Sequence, residues 1–167
     1  ADSVAALPFL VYRRLDRGKE RASEHTLYRV LHEEPNPWMT PYQLKETMMG
    51  HVLLWGNAFC AIERDSGGFP IGLWPLRPSD VMRIDVSASG ELIYTYNAPS
   101  VPRQLGGVSS GGARQLVTIP QRDMFHLRGL SPDGVMGYSP IALHRESLGL
   151  AMAAEEYGAR FFGNNAR

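Results

Sequence analysis

The chain has 167 residues, and its 17 Lys and Arg balance its 17 Asp and Glu, so the formal net charge is zero. Hydrophobic residues make up 44% and charged residues 20%, a composition typical of one globular domain rather than of disorder. No apolar run approaches the ~20 residues of a membrane span. The single cysteine excludes an internal disulfide and a multi-cysteine zinc site. Neutral charge argues against a protein that binds DNA phosphates tightly.

Residues 1–25 are predicted to form an N-terminal arm or hairpin. Residues 8–14 have the loose alternation of a strand, and residues 16–19 supply turn chemistry around a glycine. Four arginines cluster here, interrupted by two acids: Arg13, Arg14, Arg17 and Arg21. The pattern favours a solvated hairpin, with contact to DNA or a protein partner as the alternative.

Residues 26–167 are predicted to form an α+β core, an antiparallel β-meander packed with two to three helices. Residues 26–34 have helical spacing, and Pro35 ends that helix because it lacks a backbone donor. Thr40 begins a capping box with Pro41 at the first helical position, and Gly56 is a natural left-handed stop. A second helix is therefore expected between Pro41 and Gly56.

Strand patterns follow, separated by turn residues. A Gly-, Ser- and Pro-rich stretch at residues 97–114 breaks the pattern and is predicted to be a flexible insertion on a hairpin tip. The predicted strands are residues 59–64, 69–76, 81–86, 91–96, 115–119 and 124–128.

The last predicted element is one helix over residues 140–162, capped by Ser139 with Pro140 in its first turn. Its 23 residues would span ~34 Å. The chain starts with Ala1, shows no secretory-signal pattern, and continues in this helix almost to Arg167. We therefore expect the chain to be a piece of a longer protein.

The search for catalytic motifs finds only near-misses. Cys60 lies in an apolar strand, which favours a core position over a nucleophile. His126 lies on the more polar face of its strand, with no ligand partner in the pattern. Ser139 fits a helix cap better than a hydrolase nucleophile, because Pro140 and Ile141 replace the residues of a nucleophile elbow. We therefore predict that the chain is not an enzyme, with no catalytic, cofactor-binding or metal-ligating residue.

Tyr94 and Tyr96 point to the same face of a predicted strand. Such a pair is more often core, but it could also stack against bases. The alternative function is therefore an intracellular α+β module that binds a peptide or a nucleic acid through this sheet face.

Several ordered motifs resemble the portal proteins of tailed bacteriophages. The resemblance covers about residues 7–167, and motifs that match in the same order are more specific together than singly. The matching stretches are residues 27–31 (LYRVL), 35–40 (PNPWMT), 50–58 (GHVLLWGNA), 73–78 (LWPLRP), 125–131 (FHLRGLS), 137–141 (GYSPI) and 154–164 (AEEYGARFFGN).

The resemblance implies a fold and a role. In the family, such a segment forms much of the outer, wing-like α+β region of a dodecameric ring at one capsid vertex. Double-stranded DNA is packaged and ejected through this ring, and terminase, capsid proteins and the head-tail connector attach to it. The resemblance also implies a location in the virion, preceded by the host bacterial cytoplasm during assembly, and no membrane partner.

A ring needs a head-to-tail contact between two different patches of one subunit. Glu155, Glu156 and Arg160 on the last predicted helix are the candidate subunit interface. The alternative is a solvated pair between Glu156 and Arg160, which are four residues apart on the helix.

Overall fold

A computed structural model of the chain describes residues 1–97 and 116–163. The predicted insertion at 97–114 therefore lies outside the described residues except for Asn97. The predicted division of the chain into an N-terminal arm (1–25) and a core (26–167) stays a prediction. The described part contains five α-helices and eight strands, which agrees with the α+β class. In chain order they are α1 Asp2–Ala5, β1 Tyr12–Arg14, β2 Lys19–Arg21, α2 Thr26–Tyr28, α3 Pro41–Trp55, β3 Asn57–Arg64, β4 Pro70–Leu76, β5 Val81–Val86, β6 Leu92–Asn97, β7 Leu116–Pro120, β8 Met124–Arg128, α4 Pro140–Leu143 and α5 Arg145–Gly163.

The strands pair antiparallel throughout, as predicted, but they divide into more than one sheet. β1 and β2 form an exposed hairpin. The other six strands form two three-stranded sheets, one in the order β4-β3-β8 and one in the order β5-β6-β7. β8 thus returns to pair with β3 instead of continuing the meander.

The main core lies between the two three-stranded sheets, and β3 is buried on both of its faces. Phe59 and Ala61 face the second sheet, where they pack with Tyr94, Tyr96 and others. Ala58 and Cys60 face the opposite side, toward α3. This run of buried small and apolar residues is what a central strand covered on both faces requires.

The local chemistry of α3 is as predicted. The Thr40 hydroxyl accepts from the backbone N–H of Gln43, while the Gln43 side chain accepts from the N–H of Thr40 at 2.9 Å. Gly56 ends the helix in the left-handed conformation, with φ +72°. α1 packs beside the start of α3, where the hydroxyl of Tyr42 donates to Asp2.

Two other helices differ from the prediction. α2 continues as a π-helical turn, Arg29–Glu33, before Pro35. The single helix predicted over residues 140–162 is wrong, because the helix is broken at His144, whose φ of −101° and ψ of 11° leave the helical region. α4 is one turn that packs on α3, whereas α5 has no such support.

Candidate subunit interface

α5 stands apart from the rest of the described structure. None of its 19 residues is buried, and α4 is the element it contacts most. Its six large apolar side chains are between 41% and 77% exposed. A helix with so much exposed apolar surface is typical of an element that another protein surface covers.

The apolar side chains of α5 form two stripes on opposite sides of the helix. Each residue advances the direction by ~100°. We define the aromatic stripe as Leu150, Tyr157 and Phe161, which lie within ~40° of one another. The second stripe, Leu148, Met152 and Phe162, is centred about half a turn away. The rings of Tyr157 and Phe161 stack, with centroids 6.3 Å apart and an interplanar angle of 16°.

The three charged residues predicted for the interface do not share one side of the helix. Arg160 donates to Glu156 at 2.6 Å, which is the predicted i,i+4 pair. Both side chains are exposed, so this pair contributes only about 0.2–0.5 kcal/mol to helix stability. Glu155 is rotated by ~100° from Glu156 and projects among the residues of the second stripe. Their role between subunits stays a prediction.

A buried side-chain amide connects the loop before α4, and through it α5, to the body of the protein. Asn57, the first residue of β3, donates from Nδ2 to the carbonyl oxygen of Gly137 at 2.9 Å. Its Oδ1 accepts from the backbone N–H of Gly137 at 2.8 Å. Both backbone polar groups of Gly137, in the loop that leads into α4, are therefore hydrogen-bonded to the side chain of Asn57.

Two glycines allow the loop to approach this closely. The backbone N–H of Gly129 donates to the carbonyl oxygen of Gly56 at 2.8 Å. A Cβ added to Gly56 would lie 1.8 Å from the carbonyl oxygen of Tyr138, and one added to Gly137 would lie 2.1 Å from the carbonyl oxygen of Gly56. Only residues without a side chain fit at this contact.

His126 extends the network toward the second sheet. Its Nε2 lies 3.1 Å from Asn57 Oδ1, which can only accept, so Nε2 carries the proton. Nδ1 then accepts from the hydroxyl of Tyr94 at 3.3 Å and from Nε of Arg128 at 3.3 Å. Burial and the positive charge of Arg128 lower the pKa of His126 to about 4, because protonation would place a cation against these donors.

The other residues singled out in the sequence take structural positions. The Ser139 hydroxyl accepts from the N–H of Ala142, so it caps α4 as predicted, and it also donates to the carbonyl oxygen of Leu54 at 3.4 Å. Cys60 is fully buried, as predicted for a core residue, and burial raises the pKa of its thiol. Tyr94 and Tyr96 are 1% and 0% exposed, so they cannot present a binding face as the alternative function required.

The arginines of the N-terminal cluster lie on or beside the exposed β1–β2 hairpin, and Arg13 pairs with Glu20 at 3.4 Å. This matches the solvated hairpin expected from the sequence. The described residues contain no group of three or more His, Cys, Asp and Glu side chains placed to hold a metal ion. None of the described helices combines the length and apolar character that a membrane span needs.

Sequence reasoning missed Asn57 and gave His126 no partner. The available signal for Asn57 was a polar residue between a helix-ending glycine and an apolar strand. Nothing local pointed to Gly137, which is 80 residues away. His126 looked isolated because Tyr94 and Asn57 are distant in sequence.

The fold is shared with a protein from the neck of a gene transfer agent particle. Over its whole length the chain is similar to a protein in the neck of an empty gene transfer agent particle computed with C6 symmetry, with a TM-score of 0.73 and 26% identity, covering 41% of that chain. A second match, from the neck of the native particle computed with C12 symmetry, covers 100% of this chain and 40% of the other and has a TM-score of 0.69 and 21% identity, which supports the fold alone.

Sequence comparison identifies the family. The model of the phage portal protein family matches residues 1–167, so the chain belongs to that family. It is 31% identical over 98% of its length to the portal protein of Enterobacteria phage HK97, and 29% identical over 99% to the probable portal protein of Streptomyces phage phiC31. The chain spans 35% of the length of each of these relatives. The resemblance found in the sequence is confirmed.

The glycine contact predicts a specific loss of stability. Gly56→Ala should lower the free energy of unfolding more than Gly90→Ala does. Both glycines have positive φ, but a Cβ at Gly90 meets nothing within 4 Å. Gly90→Ala should therefore lower the free energy of unfolding only by the ~1–2 kcal/mol that an alanine in the left-handed conformation costs. Urea denaturation of both variants measures the difference, and equal losses would contradict the close contact.

His126 predicts that stability depends on pH. Because its folded pKa of about 4 lies below the ordinary histidine pKa of 6.5, the unfolded state takes up the proton first as pH falls. Stability should therefore fall between about pH 6.5 and pH 4. His126→Gln should reduce this slope without abolishing it, since burial also lowers the pKa of His51. Urea denaturation at several pH values tests this, and an unchanged slope would contradict it.

Proposed function

We propose that the natural gene product containing this chain is a structural subunit of the portal ring at one capsid vertex. In this role it forms a dodecamer through which double-stranded DNA is packaged and ejected, and it has no catalytic activity. Terminase, capsid proteins and the head-tail connector are its partners. It is located in the virion, after assembly in the host bacterial cytoplasm.

The observation that carries the proposal is the match of the whole chain to the portal family. The neighbouring solved structures come from particle necks with C6 and C12 symmetry, and both symmetries are compatible with twelve subunits. Net neutral charge also suits this role, because DNA that must slide past the subunits should not be held by many phosphate contacts.

α5 provides a surface through which subunits could meet. Its apolar residues are exposed on two opposite sides, and the Glu156–Arg160 pair lies between the two stripes. A closed ring uses two different patches on each subunit, so one exposed helix can contact a neighbour without creating a symmetric dimer. We propose that Glu155, Glu156 and Arg160 lie at this contact.

Electron microscopy of the natural gene product, with any sequence that flanks residues 1–167, tests the ring. We expect closed rings with a central channel, and mass photometry should give the mass of a dodecamer. A protein that stays monomeric at high concentration would contradict the proposed function.

Charge reversal at Arg160 tests the proposed interface residues. Arg160→Glu should reduce the fraction of protein in rings, measured by mass photometry. The double variant Glu156→Arg with Arg160→Glu restores a pair within the helix, so assembly should recover only if that internal pair alone matters. Arg83→Glu is the matched control, since Arg83 is also exposed and bonds Asp85 at 2.7 Å within β5. Assembly unchanged by Arg160→Glu would reject the interface role.

A further inference from the structure

An apolar groove lies on the side of the first sheet that faces away from the second. Two adjoining cavities of about 490 and 120 Å³ share the side chains of Phe9, Leu31, Leu73 and Phe125. Phe69 lines the larger cavity. Phe69 and Phe125 are 55% and 45% exposed. We call this surface the aromatic groove.

The charged residues of the aromatic groove are cations. Arg64 lines the larger cavity, and no carboxylate among the described residues lines either cavity. Lys45 lines the smaller cavity, but it is buried and donates to the carbonyl oxygen of Leu7. Arg64 is held in place by Asp123 at 2.8 Å and by the carbonyl oxygen of Arg122 at 2.7 Å. A partner for this groove should therefore be apolar, with an acid rather than a base at its edge.

The aromatic stripe of α5 has this chemistry. Leu150, Tyr157 and Phe161 supply the apolar surface, and the stacked rings of the last two form a preordered projection. Glu146 lies within ~20° of Tyr157 on the helix and Arg160 lies ~60° from it, so the charged residue nearest the aromatic stripe is an acid. The second stripe lies opposite and carries a different acid, Glu155.

The groove and the helix are attached near opposite ends of α3. Leu44, Lys45 and Met48, from the first half of α3, line the smaller cavity. α4 is attached at the other end, where Ser139 bonds Leu54. The 15 residues of α3 span ~22 Å. Phe69 and Phe125 of the groove stay exposed and no residue of α5 is buried, so α5 does not cover the groove of its own chain.

We propose that the aromatic stripe of α5 packs into the aromatic groove of a second copy of this chain, as the head-to-tail contact between neighbouring subunits. This inference rests on the proposed ring. Two different and complementary patches on one subunit are what a heterologous, ring-closing interface requires. In this contact Glu146 faces Arg64 at the edge of the larger cavity.

Cysteine cross-linking of the natural gene product tests the contact. The variant Phe69→Cys with Tyr157→Cys places one thiol in the groove and one on the aromatic stripe. A short bis-maleimide is the probe, because it spans more than the 4.4–6.8 Å between Cα atoms that a disulfide accepts. The native Cys60 is buried, so it should not react. We expect a ladder of covalent oligomers on a denaturing gel.

The matched control is Phe69→Cys with Met152→Cys. Met152 is as exposed as Tyr157, at 70% against 72%, but lies ~140° away around the helix. It should give no ladder, and neither should any of the single variants. Rings that form without a ladder in the first variant, or with equal ladders in both, would overturn this inference and leave the proposed function standing.

Assembly measurements separate the remaining outcomes. If the natural protein forms no rings, the proposed function fails and this inference fails with it. If rings are lost in Tyr157→Cys but not in Met152→Cys, while circular dichroism shows the same folded content, the aromatic stripe lies at the contact. If both variants assemble normally, the presence or absence of the ladder decides.

Discussion

Asn57 follows the glycine that ends α3 and begins the central strand of the first sheet. Its amide bonds both backbone groups of Gly137 and accepts from His126, which in turn accepts from Tyr94 of the second sheet. A buried amide has few alternative partners, and leaving it unsatisfied costs about 1–3 kcal/mol. The same side chain therefore fixes the loop before α4 and adds a polar link to the apolar contact between the two sheets.

The same hydrogen bonds hold the segment that precedes α5. The start of α4 is held by Asn57, by the contact of Gly56 with Gly137, and by the cap at Ser139. After the break at His144, α5 proceeds without packing on the body. The loop before α4 is therefore fixed to the body, whereas α5 keeps its apolar surface exposed.

The burial of β3 decides which sheet faces remain open. Both faces of this strand are covered, one by the second sheet and one by α3 and the π-helical turn. Tyr94 and Tyr96 are buried in the core between the sheets, so this sheet face is not open to a peptide or a nucleic acid. The exposed apolar residues of the described structure include those of the aromatic groove and of α5.

Local chemistry predicted the elements that carry their own signals. The capping box at Thr40, the left-handed glycine at position 56 and the cap at Ser139 depend on residues within a few positions, so the sequence alone located the start of α3, its end and the start of α4. The ordered portal motifs likewise identified the family without any coordinates. The predicted strands lie close to those observed, except that the first is shorter, at Tyr12–Arg14.

Tertiary structure decided the features that join distant parts of the chain. The pairing of β8 with β3, the network from Tyr94 to Gly137 and the break at His144 have no local signal. Asn57 and Gly137 are 80 residues apart, and Tyr94 and His126 are 32 apart. Residue spacing reports which face of an element a side chain takes. It does not report which distant face will be packed against it, because that choice is made by the burial and hydrogen bonding of the whole chain.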